Sequence, residues 1–271
     1  MSRTALVLGA GLGGMVAAHS LRRLLPRTER VVLVEREEQH VFPPSLLWLM
    51  VGKRVAGDFS RPCAHAVRPG IELVRGEVTA IDPAAKTVQV GGKTLRGDAL
   101  VIALGADYAP QAIPGLAEAG LCIYTLAGAS AIRDALERFE GGRIAVLTAT
   151  PQYKCPAAPY EAALLVDSYL RERGRRDKVT IDFYAAEPGP MMVAGAAVSA
   201  GVRAMVEARA IAYHPERQVK SVDPAQRRIE FASGSSAQFD LLLYVPAHRA
   251  PEPSTPAWNA ASSGPSIRAW I

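Results

Sequence analysis

The sequence has few cysteines and lacks any long apolar run. Three of its 271 residues are cysteines, which is too few, and an odd number, for a disulfide scaffold. No apolar stretch reaches the ~18 residues that a membrane-spanning helix needs. Residues 1–4 lead directly into an apolar strand pattern, which leaves no room for a signal peptide. We therefore expect a cytoplasmic protein whose thiols stay reduced.

Other site patterns are also absent. No run of arginines alternates with aromatic residues, so nucleic acid is not an expected partner. No serine lies in a Gly-x-Ser-x-Gly turn, and the histidines lack the spacing of metal ligands, so we predict no metal site. The formal charge of +5 includes the arginines between residues 171 and 176. We interpret these as a solvated helix end in preference to a phosphate or lipid site.

Apolar segments of strand length and helix length alternate along the chain. Residues 16–25 have helical spacing that stops before Pro26, and residues 71–90 alternate apolar and polar side chains, which predicts antiparallel strands. Buried strands are predicted at residues 5–8, 31–34, 100–104, 143–147, 179–184 and 239–245. The strand–helix rhythm occurs twice, which predicts an α/β fold with two doubly wound, three-layer domains, the second nested after the first.

A glycine-rich motif lies between the first predicted strand and the first predicted helix. Residues 9–14 read Gly-Ala-Gly-Leu-Gly-Gly and fit the pattern G-x-G-x-x-G. Glu35 ends the next predicted strand, 21 residues beyond Gly14. In Rossmann-like domains an acidic residue at about this spacing binds a ribose of the dinucleotide. The strand, the helix and the acid together favour a dinucleotide site over a turn that only packs tightly.

Each residue of this motif has a physical role in such a site. Gly9 permits the tight turn, and Gly11 lacks the side chain that would block a pyrophosphate from the backbone. Leu12 follows Gly11 in the motif and is also a candidate cofactor-binding residue, and the free N–H groups and dipole at the start of the predicted helix attract phosphate. Gly14 lets helix and strand pack closely, and Glu35 accepts hydrogen bonds from the ribose hydroxyls.

Two longer segments carry a more specific resemblance. Residues 42–47 read Phe-Pro-Pro-Ser-Leu-Leu, and residues 154–161 read Lys-Cys-Pro-Ala-Ala-Pro-Tyr-Glu. With the glycine motif, the turn at residues 76–78 and Gly105, they resemble the pyridine nucleotide–disulfide oxidoreductase superfamily over about residues 1–250. Within that superfamily the chain is most similar to sulfide:quinone oxidoreductases and the flavocytochrome c sulfide dehydrogenase flavoprotein.

The resemblance implies that the cofactor is FAD and that further residues contact it. It adds Arg36, Pro43, Val78, Ala103 and Gly105 to the cofactor-binding residues of the glycine motif. The strand that ends at Gly105 would pass near the flavin. Residue 104 of this strand is leucine, where the family has threonine.

The resemblance also implies that Cys155 is a catalytic, redox-active cysteine. Lys154 is adjacent, and a helix is predicted to open at Pro156, so an ammonium and a helix dipole would both favour the thiolate. In the family, sulfide opens a disulfide or polysulfide, the resulting thiolate reduces the flavin, and quinone reoxidises it. The expected partners are therefore sulfide or another small reductant and a quinone. Peripheral contact with the inner face of the membrane and self-association are also compatible with the resemblance.

Alternatives stand beside this interpretation. Cys155 could be a small buried filler, and Cys122 matches the position of another family cysteine only approximately. A type II NADH:quinone oxidoreductase would need a second glycine cradle, but residues 148–152 read Thr-Ala-Thr-Pro-Gln. The chain could also be a non-catalytic flavin- or nucleotide-binding remnant.

The resemblance and the patterns together predict how the chain is divided. We expect an FAD-binding domain at residues 1–112 and a second Rossmann-like domain at residues 113–238, with a degenerate nucleotide site and the redox cysteine. We expect a return strand to the first domain at residues 239–251. The periodicity ends beyond Pro251, which predicts a disordered tail at residues 252–271 and a chain truncated relative to its family.

Overall fold

The computed structural model describes residues 2–253, which alternate between strands and helices. The strands are β1 (Thr4–Leu8), β2 (Arg30–Glu35), β3 (Gln39–Val41), β4 (Ser60–Pro62), β5 (Glu72–Arg75), β6 (Val78–Asp82), β7 (Thr87–Val90), β8 (Lys93–Arg96), β9 (Ala99–Ile102), β10 (Asp107–Tyr108), β11 (Leu121–Cys122), β12 (Gly142–Thr148), β13 (Val179–Tyr184), β14 (Ile211–His214), β15 (Val219–Asp223), β16 (Arg228–Phe231), β17 (Ser236–Gln238), β18 (Leu241–Val245) and β19 (His248–Arg249). The helices are α1 (Leu12–Leu24), α2 (Leu46–Met50), α3 (Cys63–Ala66), α4 (Leu116–Ala119), α5 (Leu126–Arg138), α6 (Ala158–Glu172) and α7 (Ala196–Glu207). The predicted tail lies outside the described residues from residue 254 onward.

The chain divides into two compact units. The first contains residues 2–42, 59–107 and 249–253, and the second contains residues 43–58 and 108–248. The predicted boundary near residue 112 differs from this division, because residues 43–58 group with the second unit. There, α2 contacts α5 and α6. In the described part of the chain, no helix is both long enough and apolar enough to cross a bilayer.

The first unit has three layers around a parallel sheet in the order β5-β2-β1-β9. Side chains along β1 point alternately to the two faces of this sheet. Val7 packs with Met15 and Ala18 of α1 on one face. Leu6 and Leu8 pack on the other face against the antiparallel sheet β6-β7-β8. The continuous apolar run in β1 is therefore explained by burial on both faces.

The prediction for residues 71–90 is partly wrong. The segment Glu72–Arg75 pairs in parallel with β2, and only the strands from Val78 onward are antiparallel. Gly76, with a φ of 155°, separates the two segments, and its amide donates to the Glu35 carbonyl at 3.0 Å. The turn at this glycine ends the parallel strand and allows the chain to begin the antiparallel sheet.

The second unit repeats the same plan. Its parallel sheet has the order β11-β18-β12-β13-β14, and the antiparallel sheet β15-β16-β17 packs on one face. Helices α5, α6 and α7 contact strands of the parallel sheet. The predicted α/β fold with two Rossmann-like, three-layer domains is confirmed.

The predicted return segment at residues 239–251 groups with the first unit only from Arg249 onward, and its apolar strand lies in the second unit. Strand β18 pairs in parallel with β12, from Ile144 opposite Leu241 to Thr148 opposite Val245, and it also pairs with β11. All of its residues are buried. A strand that is apolar on both faces is most stable in the interior of a parallel sheet, and the second unit provides that position.

The arginines between residues 171 and 176 were interpreted as a solvated helix end, but two of them bind a buried carboxylate. Arg171, Arg176 and Arg209 donate to Asp167, whose side chain is fully buried, at 2.9, 2.6 and 3.1 Å. Burial alone would raise the pKa of Asp167. Hydrogen bonds from Arg171 and Arg176 outweigh burial and hold that pKa below its ordinary value. This cluster joins α6 to the segment that follows α7.

Candidate functional site

The glycine motif forms a tight turn between β1 and α1. Gly9 has a φ of 91°, and a Cβ atom there would lie 2.5 Å from the Ala103 carbonyl oxygen. A Cβ atom on Gly14 would lie 1.7 Å from the Gly9 carbonyl oxygen. Only glycine fits at these two positions, because the backbone of the turn contacts itself and the end of β9.

Gly11 differs from these two glycines, because a Cβ atom there would have no atom within 4 Å. Gly11 caps α1, which begins at Leu12 and has no acidic residue in its first turn. The first amides of a helix lack intrahelical partners and carry the positive end of its dipole. The open space beside Gly11 therefore fits a phosphate group.

Glu35 reaches this turn from the neighbouring strand. It is the last residue of β2, which pairs in register with β1. Its Oε2 accepts a hydrogen bond from the Ala10 amide at 2.5 Å, and its Oε1 accepts one from the Glu37 amide at 2.8 Å. His40 Nδ1 lies 3.0 Å from the Ala10 carbonyl oxygen. The structure thus brings the predicted acid to the glycine motif.

The other predicted cofactor residues are placed differently. Ala103 lies against Gly9, and its amide donates to the Leu8 carbonyl at 2.8 Å. Gly105 follows closely, with a φ of 73°. Arg36 forms ion pairs with Asp107, Glu37 and Glu77 at 3.0–3.5 Å. Val78 packs its side chain in the apolar core of the first unit, which leaves only its backbone for a ligand. Pro43 belongs to the second unit.

Cys155 lies in the loop between β12 and α6. It is exposed, and its φ of 55° is in the left-handed region, which is uncommon for a residue other than glycine. The prediction that α6 follows the cysteine closely is confirmed, since the helix begins at Ala158. The Ala158 amide donates to the Cys155 carbonyl at 3.0 Å. The hydroxyl of Tyr124 donates to the Lys154 carbonyl at 2.6 Å.

A charged and aromatic cluster surrounds Lys154. Its ammonium lies 4.6 Å from the ring centroid of Tyr108 and 6.0 Å from that of Tyr124. Burial lowers the pKa of Lys154, and the nearby thiols of Cys122 and Cys155 oppose this effect. Burial also raises the pKa of Cys122, whereas Lys154 is among the groups that lower it. The structure therefore places both thiols within electrostatic reach of one ammonium.

Glu187 and its partners were not found from the sequence. Glu187 is 6% exposed and follows β13. Its Oε1 accepts hydrogen bonds from the hydroxyls of Tyr153 at 2.5 Å and Tyr160 at 2.6 Å. Its Oε2 accepts one from Thr148 at 2.7 Å. Burial, and then Glu187, raises the pKa of both tyrosines. The one available signal was the position of this acid just beyond the second strand of a βαβ unit.

Comparisons with known proteins agree with this architecture. Residues 3–245 match the family model for the pyridine nucleotide-disulphide oxidoreductases. The chain is 30% identical over 260 residues to the sulfide-quinone reductase of Aquifex aeolicus, an alignment that covers 93% of this chain and 60% of that protein. It is 29% identical over 195 residues to the alternative NAD(P)H-ubiquinone oxidoreductase C1 of Arabidopsis thaliana, which covers 62% of this chain and 36% of the relative.

The solved structures give the same assignment. The sulfide:quinone oxidoreductase of Aquifex aeolicus superposes with a TM-score of 0.80 at 27% identity, over 93% of this chain and 60% of that one. The Plasmodium falciparum NDH2 structure with NADH shares the fold, with a TM-score of 0.73 at 15% identity over 93% of this chain and 56% of that one. The chain thus spans about 60% of the length of its sulfide-quinone reductase relative. The chain belongs to the pyridine nucleotide-disulphide oxidoreductase family, as its motifs predicted.

Proposed function

We propose that the first unit binds FAD. Its diphosphate would be held by the amides of the turn at residues 9–14, in the space beside Gly11, and its adenosine ribose by Glu35. The backbone of Ala103 and Leu104 borders the same turn. Arg36, next to Glu35 in the chain, and Gly105 would be further contacts. The open space at Gly11 and the reach of Glu35 to Ala10 support this proposal. A bound flavin supplies two-electron redox chemistry.

The proposed reaction is oxidation of sulfide at Cys155, with a quinone as the final acceptor. A hydrosulfide ion attacks the outer sulfur of a disulfide or polysulfide that Cys155 carries. A new sulfur–sulfur bond forms to the sulfide, the old bond breaks, and the released thiolate retains its electron pair. The thiolate then bonds to the newly added sulfur, which loses its proton, and the two electrons released as this sulfur–sulfur bond forms would pass to the flavin. The exposure of Cys155 and the ammonium of Lys154 nearby suit attack by a small anion.

The loop after β12 and the acid after β13 together favour this proposal over NADH oxidation. A dinucleotide in the second unit would need a glycine cradle after β12 and a free acid after β13. The loop after β12 contains Pro151 and Cys155 instead. The acid after β13, Glu187, already accepts three hydroxyl hydrogen bonds from the protein. These features favour thiol chemistry over a nicotinamide dinucleotide in this unit.

The test is anaerobic flavin reduction in the purified chain. We expect a yellow protein whose flavin absorbance is bleached by sulfide and not by NADH. Cys155→Ser should keep the flavin and lose bleaching by sulfide. Cys63→Ser is the matched control, because Cys63 is buried and its thiol donates to the Glu37 carbonyl at 3.4 Å.

Each other outcome identifies a different function. Bleaching by NADH would identify a type II NADH:quinone oxidoreductase. Flavin that neither donor reduces would identify a binding protein without this activity. Unchanged bleaching by sulfide in Cys155→Ser would remove the proposed role of this cysteine. Absence of bound flavin would refute the proposal for the first unit.

A further inference from the structure

The carboxylate of Glu187 is buried among hydroxyl groups. A buried carboxylate is costly unless its oxygens are hydrogen-bonded. Thr148, Tyr153 and Tyr160 supply those bonds at 2.5–2.7 Å. Thr148 Oγ1 also accepts a hydrogen bond from the Ala186 amide at 2.9 Å. Glu187 is therefore held in one position, with both oxygens in use.

The three hydroxyls come from three different elements. Thr148 ends β12, Tyr153 lies in the loop that carries Cys155, and Tyr160 lies in the first turn of α6. The ring of Tyr160 stacks on Phe183 of β13, with centroids 4.6 Å apart. Glu187 thus joins both ends of the Cys155 loop to the parallel sheet.

The loop itself needs such support. Cys155 has a positive φ of 55°, a conformation that is strained for a residue with a side chain. Such a conformation persists only when neighbouring contacts enforce it. The two residues before Cys155 provide them: the Tyr153 hydroxyl bonds to Glu187, and the Lys154 carbonyl accepts from Tyr124.

We propose that Glu187 is a positioning residue for the Cys155 thiol. It acts as a hydrogen-bond acceptor that fixes the loop through Tyr153 and Tyr160, and its charge is not required. The purpose of this arrangement rests on the proposed function, because a fixed thiol serves attack by sulfide and transfer of electrons. The arrangement itself requires neither flavin nor sulfide.

The experiment measures alkylation of Cys155 by iodoacetamide in the full chain, quantified on the peptide that contains it. We expect the rate constant of the wild type to differ from that of N-acetylcysteine amide by about fivefold or more, because the thiol is held in one environment. Tyr153→Phe and Glu187→Ala should bring the rate to within about twofold of the model thiol. Glu187→Gln keeps an oxygen for both tyrosines and should retain the rate of the wild type.

Tyr184→Phe is the matched control, since its ring packs on His214 and Phe231 and its hydroxyl is not among the groups that bind Glu187. It should also retain the wild-type rate. Hydrogen exchange at the Ala158 amide, which donates to Cys155, should accelerate in Tyr153→Phe and remain slow in Tyr184→Phe.

Several results would overturn the proposal. These are a wild-type rate equal to that of the model thiol, no change in Tyr153→Phe, or an equal change in Tyr184→Phe. Loss of the wild-type rate in Glu187→Gln would show that the charge is required. If Glu187→Ala does not fold, the Tyr153→Phe variant alone still tests the proposal. Neither the alkylation nor the hydrogen-exchange measurement uses sulfide, so failure of the proposed sulfide reaction would not change their outcome.

Discussion

Three glycines in one turn allow packing to be separated from ligand binding. An added Cβ atom meets the Gly9 carbonyl at 1.7 Å in Gly14→Ala, but meets nothing within 4 Å in Gly11→Ala or Gly13→Ala. If the space beside Gly11 receives a diphosphate, Gly11→Ala should fold normally and bind FAD weakly. Gly14→Ala should lose both properties, and Gly13→Ala should lose neither.

The expected sizes follow from the local backbone. Gly11 has φ −66° and ψ −173°, which alanine adopts without strain. Replacing glycine by alanine lowers the conformational entropy of the unfolded chain, which stabilises the fold by about 0.4–1 kcal/mol. Alanine is a poorer N-cap than glycine, which offsets this effect, so the free energy of unfolding should change by less than about 1 kcal/mol. A methyl group that displaces the diphosphate from one amide removes a charged hydrogen bond of about 1.5–3 kcal/mol, or about 10- to 100-fold in FAD affinity.

Gly13 is the second residue of α1, where alanine is favoured over glycine by less than the ~0.8–1 kcal/mol of a helix interior. Gly13→Ala should therefore be slightly more stable than the wild type and bind FAD equally well. The contact at Gly14 forces a backbone shift, and we expect a loss of about 3 kcal/mol or more. Urea unfolding of the apoprotein gives the stabilities, and titration of flavin fluorescence gives the affinities. Wild-type FAD affinity in Gly11→Ala would refute a diphosphate at this position.

Two further predictions concern stability. Asp167→Asn should destabilise the second unit by about 3 kcal/mol in a urea titration, because it leaves the largely buried guanidinium of Arg176 without its charge partner. Glu207→Gln is the control, since it breaks only the exposed ion pair with Arg203 and should cost under about 0.5 kcal/mol. Because the pKa of Asp167 is lowered in the folded state, its contribution to stability is complete above about pH 4 and is lost as the pH falls through the folded pKa. The free energy of unfolding should therefore fall less steeply at acid pH in Asp167→Asn than in the wild type. An unchanged acid dependence would contradict this. Thr125→Ala should cost about 1 kcal/mol by thermal unfolding, because Thr125 caps α5 through the Gly128 amide at 3.0 Å, and Thr125→Ser should restore it.

The sequence predicted those parts of the molecule whose signals are local. Strand β1, the glycine turn and Glu35 lie close together in the chain, so spacing alone identified them. The start of α1 was placed at residue 16, but the helix begins at Leu12. Glycines at positions 13 and 14 hide the helical pattern, because glycine has a low helix propensity. Close packing against the Gly9 carbonyl requires glycine at position 14.

Features that depend on distant residues were missed. The run at residues 241–245 identifies a buried strand but not the sheet that contains it, and it pairs with β12, almost one hundred residues earlier in the chain. The residue pattern of strand β5 is the same for a parallel and for an antiparallel neighbour, so the sequence does not distinguish the two. Glu187 had no local signal as a hydrogen-bond centre, because its partners lie 27–39 residues away. The sequence aligned Cys122 only approximately with a family cysteine and gave no sign that folding brings its thiol within electrostatic reach of Lys154.

The two units place an acid at the same position in the fold with different hydrogen-bond partners. In both, an acid follows the second strand of a βαβ unit, where a ribose is bound in dinucleotide domains. Glu35 is only partly buried and accepts from two backbone amides beside the open space at Gly11. A carboxylate has about four acceptor sites, so Glu35 retains capacity for ribose hydroxyls.

Glu187 is buried, and protein hydroxyls occupy the acceptor sites that a ribose would use. Ribose hydroxyls and tyrosine hydroxyls are chemically similar donors, so the tyrosines supply the hydrogen bonds that the buried carboxylate needs. The loop that would hold a pyrophosphate is then free to carry a thiol. On this reasoning, binding of a dinucleotide by the second unit requires removal of the Tyr153 side chain as well as new glycines after β12. Glycines introduced alone should give no NADH binding in a fluorescence titration.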